Sequence, residues 1–182
     1  MRTGALGISM AAAALVGSVA VPSACASSSP LIVNGRGISQ LHLGSSESNA
    51  VAILDRLLGR PTSRVRATPI MMNCGVDALG DWHALSAYFD RQHLVGLAFG
   101  EAHVPTVQTV AGLKLGDSLA RARSLYGHRL TTSEANGGAW YARTPTGRID
   151  GFLNWNGAHG PRPTTKIITI DVGVVGCPAM SP

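Results

Sequence analysis

The sequence is short of charge and of aromatic rings. Asp, Glu, Lys and Arg make up 14% of its 182 residues and Phe, Trp and Tyr 5%, where an average soluble domain carries roughly 25% charged residues. Lysine is nearly missing, with Lys114 and Lys166 the two in the chain. The remaining basic residues are arginines, a bias that follows more simply from a GC-rich genome than from a nucleic-acid site. They are scattered, and the nearest thing to a cluster, Arg60, Arg64 and Arg66, has no array of stacking aromatics beside it. No nucleic-acid partner is therefore expected. Three cysteines are too few for a disulfide-dense miniprotein, and the composition excludes a collagen, a coiled coil and a polytopic membrane protein. Also missing are a Gly-x-Ser-x-Gly elbow, a His-Glu-x-x-His zinc motif and a phosphate-cradling glycine loop ending in Lys-Ser/Thr. Glycine, by contrast, is plentiful: 22 residues, about 12% against a usual value of roughly 7%.

Residues 1–26 form an address. Arg2 is their one charge, an apolar stretch runs from Ala5 to Val21, Pro22 ends any helix, and Ala24-Cys25-Ala26 supplies small residues for a signal peptidase. Export is expected, with cleavage after Ala26. The competing reading makes Cys25 a lipidation site, since Ser23-Ala24-Cys25 resembles the end of a lipobox, although Pro22 stands where that motif has an aliphatic residue. A lipid on Cys25 is the one route by which this chain is expected to meet a membrane. Beyond Ala26 the chain holds fourteen basic and ten acidic residues, a net charge of +4. It also holds two further cysteines, Cys74 and Cys177. An even remainder in an exported protein points to a disulfide. Closing a loop of about 100 residues would contribute up to about 4–5 kcal/mol in the chain-entropy model.

Two stretches repeat one pattern. Leu41-His42-Leu43-Gly44-Ser45-Ser46 leads to Leu57-Leu58-Gly59, and Leu113-Lys114-Leu115-Gly116-Asp117-Ser118 leads to Leu125-Tyr126-Gly127. Each is Leu-x-Leu-Gly, a polar pair able to cap a helix, a helical stretch and a closing glycine. Ala50, Ile53, Leu54, Leu57 and Leu58 form one apolar stripe; Leu119, Ala122, Leu125 and Tyr126 form a shorter one. The first glycine-to-glycine interval is four residues longer, so the first helix is expected to gain about one turn. After the first helix the pattern predicts a loop over 60–81, strands over 82–89 and 94–99, and a third over 106–110. After the second it predicts strands over 139–143, 149–155 and 166–175, with Asp90 to His93 as the turn between 82–89 and 94–99 and Thr144-Pro145-Thr146-Gly147 as the turn after 139–143. The predicted fold is α+β: two tandem helix-then-antiparallel-strand repeats (37–110 and 111–182) sharing one sheet with the helices on one face, preceded by a flexible segment over 27–36.

This order resembles the repeated helix-plus-sheet unit of secreted beta-lactamase inhibitor proteins and of small outer-membrane assembly lipoproteins. The likeness rests on Leu43-Gly44 and Leu115-Gly116, on Leu58-Gly59-Arg60-Pro61 and Leu125-Tyr126-Gly127, and on the hairpin that follows each helix. It implies a binding or scaffold module of the cell envelope and carries over no inhibitory residue. The chain departs from the inhibitors in having only nine aromatic residues.

The candidate sites are few. Trp82, Trp140 and Trp155 lie at the ends of predicted strands, where they serve either as an aromatic binding face or as core under the helices. His83 and His103 approach each other if their strands form a hairpin, with Asp81 or Glu101 as a third group; structural histidines are the plainer reading. Asp150 and Asp171 share a sheet face in the manner of paired acids, with exposure to solvent as the default. No metal, cofactor or catalytic residue is expected. The function anticipated is an exported, non-enzymatic module that binds a protein or an envelope component, with inhibition of a secreted enzyme or a small extracellular hydrolase as alternatives.

Overall fold

In the computed structural model, the described residues are 30–66, 75–83, 85–100, 106–134, 138–157 and 159–175. Cys25, Cys74 and Cys177, the signal segment, His103 and Glu101 lie outside them.

The two helices start and stop where side-chain chemistry dictates. Helix α1 spans Glu47–Leu58, and the Ser46 hydroxyl accepts from the Asn49 N–H at its start. Helix α2 spans Leu119–Tyr126, with Ser118 accepting from the Arg121 N–H. Of each polar pair it is the second member that caps. The lengths are 12 and 8 residues, the one-turn difference expected from the glycine spacing. Gly59 and Gly127 take φ of 83° and 55°, yet their ψ values of −170° and −131° lie outside the left-handed helical region. A short 3₁₀ turn, Gly127–Arg129, follows α2.

Strands β1 (Leu31–Asn34), β2 (Gly37–Ile38), β3 (Leu41–His42) and β8 (Val107–Thr109) form a small sheet in the order β3-β2-β1-β8. Eight others form the large sheet: β4 (Ser63–Arg66), β5 (Ala78–Trp82), β6 (Leu85–Asp90), β7 (His93–Phe99), β9 (Leu130–Ser133), β10 (Ala139–Thr144), β11 (Gly147–Phe152) and β12 (Ile170–Gly173). Their order is β4-β5-β6-β7-β12-β11-β10-β9, antiparallel throughout.

Directly opposed residues on neighbouring strands point to the same face. The row Trp82–Leu85–Phe99–Ile170 and the row Leu97–Val172–Ile149–Ala142 are therefore both on one face, and every member is at most 1% exposed. These side chains join Ala50 and Leu54 of α1, and Leu119, Ala122 and Tyr126 of α2, in one core that also takes in Val33, Ile38, Leu41 and Val107 of the small sheet. The Trp82 indole Nε1–H donates to Asp55 Oδ1 at 2.8 Å, tying the sheet directly to α1.

Several sequence expectations need correction. There are two sheets, because strand 106–110 shortens to β8 and pairs in parallel with β1 rather than joining β7. Leu31–Asn34, assigned to a flexible segment, is an inner strand of the small sheet with Val33 fully buried. The single strand 82–89 is the corner of a hairpin, with Trp82 opposite Leu85 and His83 at φ 55° between them. The loop over 60–81 contains β4 and most of β5, and β9 was not anticipated. The final strands are shorter, ending at Phe152 and starting at Ile170, with an isolated bridge joining Leu153 to Ile167.

Candidate functional site

The opposite face of the large sheet carries a polar row that crosses all eight strands. Pairing sets Ser63 opposite Asp81, Asp81 opposite Ser86, Ser86 opposite Ala98 and Ala98 opposite Asp171. It continues through Asp150, Tyr141 and Thr131. Period-two alternation puts them there: all but Ser63, on the edge strand, neighbour in sequence a residue of the core or one packed against it.

The ends of the row are satisfied and its centre is not. Asp81 Oδ2 accepts from the Ser63 hydroxyl at 2.8 Å and Oδ1 from the Ser86 hydroxyl at 2.6 Å. Asp150 is paired with Arg148 at 2.9 Å, and the same guanidinium lies 4.5 Å from the centre of the Tyr141 ring, within cation–π range. Asp171 is 5% exposed. Its Oδ2 accepts from the Thr169 hydroxyl at 3.1 Å, while Oδ1 has no partner among the described residues. Burial, with the Asp150 carboxylate next to it, pushes its pKa up to about 8. Burial also raises Asp150, with Arg148 opposing the shift. The Tyr88 phenol is raised by burial and then by the nearby charges of Asp171 and Asp81. At neutral pH the centre of the row thus favours the neutral form of the Asp171 carboxyl group. It has an O–H to donate and an oxygen without a partner.

The aspartate default must accordingly be corrected. Asp150 and Asp171 do face one side of the sheet as direct neighbours, but Asp171 is buried and not solvated. The tryptophans give the opposite correction. Trp82 and Trp140 are completely buried on the core face, Trp140 donating to the Thr169 carbonyl at 3.3 Å. Trp155 is partly buried against the core and donates to the His159 carbonyl at 2.6 Å. They offer no aromatic binding face, because the core of a chain so poor in aromatics takes its largest rings inside. His83 is exposed at its turn, and no hydrogen bond or ion pair joins it to Asp81, whose oxygens are already taken by Ser63 and Ser86. Among the described residues no group of three or more His, Cys, Asp or Glu side chains could hold a metal ion.

A cavity of about 330 Å³ lies on the core side, between the end of β1, the turn after β8, the end of α2 and the β10–β11 turn. Its walls come from four separate stretches, so no local pattern announces it.

No family model matches the chain, and no curated protein matches it. The fold is similar to that of a solved structure. The uncharacterized protein YfeY from Escherichia coli superposes with a TM-score of 0.51 at 13% identity, over 80% of this chain and 99% of that one. At that identity the likeness concerns the fold alone, and it supports the mixed α+β architecture, rich in sheet with two helices. Among the described residues no helix is long and apolar enough to cross a membrane.

Proposed function

We propose that the protein is an exported binding module that engages a protein or envelope component through the outer face of its large sheet. The observation that carries this reading is the row centred on Asp171. The accessible members of that row flank the buried Asp171 carboxyl: the half-exposed Arg148 guanidinium over the Tyr141 ring presents charge and an aromatic surface to an incoming polar group. Mature residues from Ser27 onward, a Cys74–Cys177 disulfide and release or lipid attachment at Cys25 belong to the same proposal. So does descent from a duplicated unit. In its support, the strand order runs outward from β7 and β12 as two four-strand meanders. Gly44 and Gly116 both take positive φ two residues before the capping serines Ser46 and Ser118.

The hydrolase reading draws on the same pair of acids. It is the weaker one, because Asp171 is nearly inaccessible and neither acid lines the cavity. Retention of secreted and envelope proteins on the immobilised protein, compared with the double variant Tyr141→Ala/Arg148→Glu, tests the binding reading. Specific retention should be lost in the variant. An unchanged set of retained proteins, or none with the unaltered protein, overturns it.

A further inference from the structure

The cavity is floored by Val33 and Ile149, both fully buried, and walled by Tyr126 and the turn bearing Val110 and Ala111. Its polar floor is already satisfied. The Tyr126 hydroxyl donates to Thr109 Oγ1 at 2.7 Å, and that oxygen also accepts from the Leu113 N–H at 3.1 Å. The side-chain oxygens of Asn34 and Thr146 accept from the Arg36 and Gly35 N–H groups at 2.8 and 3.0 Å, and Thr144 donates to the Gly147 carbonyl at 2.8 Å, so the side-chain oxygens of the lining are engaged within the protein. Val110, 71% exposed, stands at the same opening, a large apolar side chain left in water. Arg129 also lines the cavity and is exposed. Its Nε–H donates to the Tyr126 carbonyl at 3.4 Å, and no carboxylate among the described residues pairs with its guanidinium. The volume falls within the roughly 300–1,000 Å³ of small-molecule sites.

An apolar chamber with satisfied walls and one unpaired cation beside it matches a ligand with an alkyl body and an anionic head. We infer that this cavity binds a single-chain alkyl carboxylate, with its chain against Val110, Ala111 and Pro145 and its head at Arg129. The inference goes beyond the outer-face reading and stands apart from it, since Ile149 points to the side of β11 opposite Asp150.

The test is calorimetric titration of the purified chain at pH 7 with hexanoate, octanoate and decanoate below their micellar concentrations, and with octanol as an uncharged control. Affinity should rise about fourfold for each added methylene until the chamber is full. Arg129→Gln should weaken the carboxylates roughly two- to fivefold, the range of an exposed ion pair, and leave octanol unchanged. Ala111→Phe should block both, and Val110→Trp, at a well-exposed position, serves as a second block. Far-UV circular dichroism confirms that the variants fold. Absence of binding, affinity independent of chain length, or binding untouched by both blocking variants overturns the site. An Arg129→Gln protein that binds octanoate as the unaltered chain does overturns the carboxylate assignment.

Discussion

Asp171 places an ionisable group where its charged form is disfavoured, and the sign of the consequence follows from linkage. Its folded pKa of about 8 lies above the roughly 3.9 of an unfolded aspartate. Between those values the folded chain binds a proton that the unfolded chain does not. Stability is then greatest below about pH 4 as far as this group is concerned, and is lost as pH rises toward 8. Denaturant midpoints should fall across that range, by an amount equivalent to a few kcal/mol. In Asp171→Asn the slope should flatten and the protein at pH 8 should be more stable. A steeper or unchanged slope would mean that the carboxyl ionises freely in the folded state. Trp82 offers a second test at this scale. Trp82→Phe removes the donor to Asp55 and leaves a gap under α1, which should cost about 2–4 kcal/mol in chemical unfolding.

Elements were legible where one residue carries a strong local signal. The serine caps, the closing glycines and the stripe from Ala50 to Leu58 fixed both helices, and Thr144-Pro145-Thr146-Gly147 fixed the β10–β11 turn. The Asp90–His93 turn was also legible, although its central residues are Arg91 and Gln92 at φ 46° and 64°. A two-residue hairpin loop of this twist prefers Asn-Gly, and non-glycine residues there are strained by roughly 1–2 kcal/mol each. Gln92→Gly should therefore raise stability by about 1 kcal/mol in thermal or denaturant unfolding, whereas Ser118→Ala should lower it by a similar amount by removing the α2 cap. What the sequence hid was the corner at His83. It has no Gly, Asn or Pro there, and the only trace of it is a shift in the parity of the buried positions, from Gly80 and Trp82 before the corner to Leu85, Ala87 and Phe89 after it. The small sheet was hidden for another reason: β2 and β3 are two residues each, too short for any periodicity. The polar row is a product of register, which brings Asp81, Asp150 and Asp171 into line from three distant stretches.

For the whole molecule, both helices and both sheets contribute to one core. The chain should unfold in a single cooperative step although its large sheet is built from two four-strand meanders, with coincident far-UV and tryptophan fluorescence transitions. Two resolved transitions would mean that the halves are independent domains. The contact between β7 and β12 is where this cooperativity is most exposed. A Cβ added at Gly96 would run into the backbone carbonyl of Val174, so Gly96→Ala should weaken both halves together and not just the first.

That central seam also governs when the protein can become itself. Strand β12 (Ile170–Gly173) is the last in chain order among the described residues, yet it lies between β7 and β11, fifth from one edge of the sheet and fourth from the other. Until those last residues have been made, β7 is an open edge with unpaired amides and carbonyls, ready to pair with another chain. Completion of the large sheet therefore waits until all its other described strands have been made, and its central seam closes last.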